Sequence, residues 1–125
     1  MFYTVQVQEG SPLLRIALRG FWSMATFSAF IEESGGAIQD IMMRHGRFDM
    51  LSDCRDFQVQ GPDVSAAFLD LKTGGNVASG NRIAVFTPSA LGRIQAERLL
   101  GNADCKIFAS EAEALGWLGL ARMGA

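Results

Sequence analysis

The spacing of apolar residues changes period several times along this chain, and those changes restrict the fold class more than any other feature. From Tyr3 to Gln8 every second residue is apolar, with Tyr3, Val5 and Val7 alternating with Thr4, Gln6 and Gln8. That is the pattern of a strand with one covered face. Leu14, Ile16 and Leu18 alternate with Arg15, Ala17 and Arg19 in the same way. Glu9-Gly10-Ser11-Pro12 between the two runs supplies turn chemistry, so the pair predicts an antiparallel hairpin. The period then lengthens: Phe27, Phe30, Ile31, Ile38, Ile41 and Met42 fall at helical spacings, with Glu32, Glu33, Gln39 and Asp40 between them. Ser23 stands where an N-cap is needed. His45 suits the negative end of the helix dipole, and Gly46 suits a C-cap. Gly35-Gly36 weakens the middle of this helix or lets a neighbour approach closely.

The alternation of periods continues. Phe48 to Cys54 predicts a strand covered on both faces. Gly61-Pro62-Asp63 opens a second helix with Val64, Ala67, Phe68 and Leu71 on its apolar side, and Gly74-Gly75 ends it. Ile83 to Phe86 is a short apolar strand. Thr87-Pro88-Ser89 opens a third helix, with Thr87 as N-cap and Pro88 in its first turn. Cys105 to Ala109 is a last strand, and Ser110-x-x-Glu113 is a capping box before a final helix. The order β-β-α-β-α-β-α-β-α predicts an α/β domain with a mixed sheet of about five strands, the first antiparallel. No repeat, linker or low-complexity segment divides residues 1–125, so one domain is expected.

Composition removes several function classes. The formal net charge is −2, which offers no basic face for nucleic acid and no polybasic patch for a membrane. No apolar run approaches the roughly 20 residues of a bilayer span, and the first residues lack the pattern of a signal peptide. A cytoplasmic location is expected, with Cys54 and Cys105 reduced in buried strands. There is no Cys-x-x-Cys and only one histidine, so neither a metal site nor a cofactor is expected. His45 falls at the far end of a crossover helix, at the opposite sheet edge from Asp53 and Ser89, which argues against a Ser-His-Asp or Cys-His centre.

The remaining candidates gather where strands end, the usual ligand side of an open α/β sheet. Asp53, Arg55 and Asp56 form the densest charge group. They suit a polar anchor or an acid/base pair, or else Asp53 accepts from a helix N-terminus while Arg55 and Asp56 pair at the surface. Thr87, Ser89 and Arg93 could hold an anion at a helix N-terminus, although the glycines of a phosphate loop are missing. The Gly75–Asn81 segment reads as a loop without a nucleotide fingerprint. Trp22, with Phe21, Phe27 and Phe30, could line an apolar pocket or simply pack the core.

Three segments together carry a family resemblance. They are Gly20-Phe21-Trp22, the run from Gly46-Arg47-Phe48 into Asp53-Cys54-Arg55-Asp56-Phe57, and Phe108-Ala109-Ser110-Glu111-Ala112-Glu113-Ala114-Leu115-Gly116-Trp117-Leu118. In these the chain resembles the small bacterial SpoIIAA-like proteins, often labelled STAS/SEC14-like. The resemblance implies the SpoIIAA-like fold and a regulatory domain that docks a protein partner. STAS relatives are switched by phosphorylation of a Ser or Thr at the start of the helix after the third strand. Here Arg55 to Pro62 contains no hydroxyl residue, and Ser65 lies inside the predicted helix. Asp56 or Asp63 already places negative charge in that region. The resemblance therefore implies a non-enzymatic interaction module without the switch serine. The alternative is a binder of a small ligand, lipid or anion, at the carboxyl edge of the strands, using Trp22, Asp53, Arg55 and the Thr87-Pro88-Ser89 turn; the SEC14-like label implies a lipid pocket. A lipid cavity would compete with the core of so small a domain. Pairing of two copies through an edge strand or the apolar last helix is a further expectation.

Overall fold

The computed structural model describes residues 2–73, 82–101 and 105–119. The expected Gly74-Gly75 stop, the Gly75–Asn81 loop and Leu120 of the last helix lie outside the described residues. The elements are β1 (Tyr3–Val7), β2 (Leu13–Gly20), α1 (Met24–His45), β3 (Asp49–Phe57), α2 (Pro62–Thr73), β4 (Arg82–Phe86), α3 (Ala90–Leu100), β5 (Cys105–Phe108) and α4 (Glu111–Leu118). They follow the order expected from the periodicity.

The five strands form one sheet in the order β1-β2-β3-β4-β5. β1 runs antiparallel to β2, and every later pair is parallel. Because each crossover steps to the adjacent strand in one direction, the crossover helices stack on one face. Leu14, Ile16 and Leu18 of β2, Met50 and Cys54 of β3 and Val85 of β4 pack there with Phe27, Phe30 and Ile41 of α1, Val64 and Phe68 of α2, and Ala96 and Leu99 of α3. The other face is covered only in part: Leu13, Leu51, Ala84 and Phe86 pack against Ala114 and Leu118 of α4. α4 is thus committed to the sheet. Leu118 is buried, and Trp117 is flanked by Arg82 and Lys106 over its ring. The self-association surface expected on this helix is therefore occupied within the chain.

The caps explain where the helices begin and end. Ser23 Oγ accepts the Thr26 N–H at 3.2 Å. Gly46 closes α1 in the left-handed conformation (φ 74°), which glycine alone adopts without strain. Ser110 Oγ accepts the Glu113 N–H as the capping box requires. Two boundaries differ from the sequence expectation. Thr87 does not cap α3: its hydroxyl accepts no helix N–H, and its own N–H is held by the Phe108 carbonyl of β5. The cap passes to Ser89, whose hydroxyl accepts from Gly92 N–H at 3.1 Å. β3 also runs past Cys54 to Phe57. Beyond Asp53 its register continues with β2 alone, through a bulge in which Ala17↔Asp53 is followed by Arg19↔Asp56. The charged segment read as a strand end is therefore strand, left partly exposed because β4 stops earlier.

Candidate functional site

Asp53 and Arg55 form one unit. Arg55 Nη2 lies 2.7 Å from Asp53 Oδ2 and Arg55 Nε 3.0 Å from Oδ1, a bidentate pairing. The Arg55 backbone N–H adds a bond to Oδ1 at 3.1 Å. Partial burial works to raise the Asp53 pKa. It is outweighed by the Arg55 side chain and N–H and by the positive charges of Arg55 and Arg19, which hold the carboxyl below the usual carboxylate range. Asp53 is therefore ionised at neutral pH and carries no proton for acid catalysis. Asp56 stands beside Arg19 on the next strand and is exposed. A shallow polar basin of about 180 Å³ opens on the part of the sheet that α4 leaves bare, between Arg15, Arg19, Asp53 and Glu111.

Ser89, Arg93 and Thr87 do not join that group. Ser89 already takes the Gly92 N–H that an anion would use. Arg93 is exposed on α3, and Thr87 is buried with a hydroxyl that has no hydrogen-bond partner. Ser65 is also buried, in α2, and donates to the Gln60 carbonyl. Cys54 is shut off as a nucleophile: burial, then the neighbouring Asp53 charge and Cys105, pushes its thiol far above the ordinary range. Among the described residues no group of three or more metal-ligating side chains converges, and no helix is long and apolar enough to cross a membrane.

Trp22 belongs to the core. It is 1% exposed, its ring meets Tyr3, Phe30, Phe57 and Phe68, and its indole N–H donates to the Arg19 carbonyl at 2.8 Å. The Trp22 backbone N–H donates to Gln60 Oε1, and Gln60 N–H donates to Gln95 Oε1, both at 2.8 Å. Gln60 Nε2 returns to the carbonyls of Gly20 and Gln58, and Gln95 Nε2 also reaches Gln58. These buried glutamines clasp the β2–α1 connection, the β3–α2 connection and α3. The carboxyl end of the helix-covered face is thereby closed.

The same layer is hollow toward the amino ends of β3, β4 and β5. A cavity of about 340 Å³ lies between the sheet and the three crossover helices. Ile16, Leu18, Met50, Ser52, Ile83, Val85 and Cys105 line its sheet side. Phe30, Ile31, Ser34, Gly35 and Ile38 of α1 face it, with Phe68 and Leu71 of α2 and Leu99 and Leu100 of α3. α1 spans this region with its smallest side chains. A Cβ placed on Gly35 would meet nothing within 4 Å. Ser34 turns its hydroxyl back to the Phe30 carbonyl at 2.7 Å, so it offers the cavity little unsatisfied polarity. None of the seven expected binding residues lines this space. The available sequence signal was the spacing Phe30, Ile31, Ser34, Gly35, Ile38, an inward helical face with a small middle.

An open-faced α/β layer with one antiparallel edge strand, three crossover helices on one face and a short helix on the other defines the class. The sequence model of the SpoIIAA-like family matches residues 13–119, and the chain belongs to that family, whose fold is that of STAS-like regulatory and interaction domains. No curated protein matches the chain.

Proposed function

We propose that the protein is a non-enzymatic binding module that holds an apolar small molecule, such as an acyl chain, in the cavity beneath α1. The size and lining of that cavity carry the reading. At about 340 Å³ it falls within the range of ligand pockets and is over twice the roughly 150 Å³ void that accepts benzene in an engineered core. The cavity is open to solvent, so an apolar occupant can enter and remove its apolar walls from water. Native mass spectrometry of gently purified protein, with displacement of an environment-sensitive fluorophore by fatty acids of graded length, tests the reading. Gly35→Leu fills the cavity and should weaken binding roughly tenfold or more while the fold is kept. A ligand-free mass and no displacement by any chain length would sink the proposal.

A second reading, docking of a protein partner, rests on a separate observation. Phe21, Met24, Val59, Leu91 and Ile94 are exposed large apolar side chains, and all lie at or near the starts of α1, α2 and α3. They surround the closed carboxyl end, away from the cavity. A partner recovered from native lysate by the wild type and by Gly35→Leu, yet lost with Ile94→Asp, would support this reading. Equal recovery with Ile94→Asp would remove it.

A further inference from the structure

Among the described residues no strand pairs with the outer side of β1, and the bonds at its two ends show which way its backbone groups point. Arg19 N–H donates to the Phe2 carbonyl at 2.8 Å, and Gln8 N–H to the Leu13 carbonyl at 3.0 Å. Antiparallel partners alternate between pairs that exchange both bonds and pairs that exchange none. With the register Tyr3↔Leu18 through Val7↔Leu14, the even-numbered residues from Phe2 to Gln8 turn their groups toward β2. Tyr3, Val5 and Val7 therefore turn their N–H and C=O groups outward. Tyr3–Val7 contains no charged residue and no proline, and its register with β2 has no bulge. Charge, proline and bulges are what normally protect an edge, and β1 lacks all three. The opposite edge is different: β5 has only four residues and carries Lys106.

A groove of about 700 Å³ follows this open edge between β1 and the first half of α1. Ala25, Thr26 and Ala29 give it a low floor, and Glu33 stands at one end. Tyr3 and Val5 pack on the helix side of the sheet, and Val7 shares their side by the period of the strand.

We propose that a second copy of this chain covers this edge, its β1 pairing antiparallel with β1 about a two-fold axis at Val5. In that register Val5 faces the partner's Val5, and Tyr3 faces the partner's Val7. The facing residues are those whose backbone groups point outward, so each such pair exchanges two hydrogen bonds. The partner's Tyr3, Val5 and Val7 side chains then enter the groove over Ala25 and Ala29. Thr4 meets the partner's Gln6 on the other face, and no like charges within the strand are opposed. The contact uses one patch twice and closes as a dimer, leaving the charged β5 edges at the two ends of a continuous sheet. This inference does not depend on what fills the cavity.

Analytical ultracentrifugation of the full chain from micromolar to millimolar concentration tests it. The expected result is a reversible dimer. Val7→Lys puts a charge against the partner's Tyr3, and Ala29→Arg fills the groove from an exposed helix position where arginine is a good helix former. Each should weaken association by roughly tenfold or more, with circular dichroism and the melting temperature of the monomer unchanged. A wild-type chain that stays monomeric throughout would overturn the proposal and leave the edge to a foreign strand. A dimer insensitive to both substitutions would overturn it as well.

Discussion

The two ends of the helix-covered layer have the same architecture and opposite interiors. At the carboxyl end, four aromatic rings around Trp22 and two buried glutamines fill the space between sheet and helices. At the amino end, the same helices bridge a hollow. Backbone geometry does not make the difference, since α1 runs over both ends. It presents Phe27 at one end and Ser34 and Gly35 at the other, with Phe30 shared between the aromatic cluster and the cavity wall. Side-chain volume along one helical face decides which end is core and which can receive a guest.

The comparison can be broken most strongly at the filled end. Trp22→Ala should cost about 4 kcal/mol in urea unfolding, the usual penalty for deleting a buried aromatic ring. A loss near zero would mean that the rings do not support this end of the layer. Gln60→Ala strands the Trp22 N–H and removes the Nε2 bonds to the Gly20 and Gln58 carbonyls, and should cost about 2–3 kcal/mol by the same measurement. At the hollow end the sign reverses. Gly35→Leu adds a side chain where nothing obstructs it and replaces a poor helix former, so it should raise stability by about 1 kcal/mol. Destabilisation there would show that the cavity is not open as described. The smallest effect is expected outside both ends, at Asp53. Its carboxyl is held below the ordinary range, so its stabilising contribution is complete above the unfolded value near 3.9. That contribution is lost as pH falls through the folded value. The melting temperature of Asp53→Asn should trail the wild type by a constant margin from pH 5 to 8, and the margin should close below about pH 4.

How much of this was legible beforehand depended on range. Element order followed from local periodicity, and the Ser23 and Ser110 caps from single side chains near their own helices. The far end of β3 gives no local sign of itself, because the charged Arg55-Asp56 segment follows the apolar run that ends at Cys54. It is a strand whose neighbour β4 stops short, and strand lengths elsewhere in the sheet carry no local mark. Thr87 stands two residues short of the helix, since pairing of its N–H with β5 keeps it with the sheet and the cap falls to Ser89. The Asp53–Arg55 group was legible as charge, but its internal pairing in place of an Arg55–Asp56 pair was not. The cavity was hardest to see. Ser34 and Gly35 mark one wall, yet the other walls come from strands and helices brought together only by the fold. Gln60 and Gln95 have no common local signal at all, being joined across 35 residues.

The glutamine clasp also links the opening of separate parts of the chain. The N–H of Trp22 and that of Gln60 each end on the side chain of another member, so neither connection can loosen alone without stranding a buried amide. Three stretches distant in sequence should therefore open together. In native-state hydrogen exchange the amides of Trp22 and Gln60 should share one slow rate, set by unfolding of the whole layer.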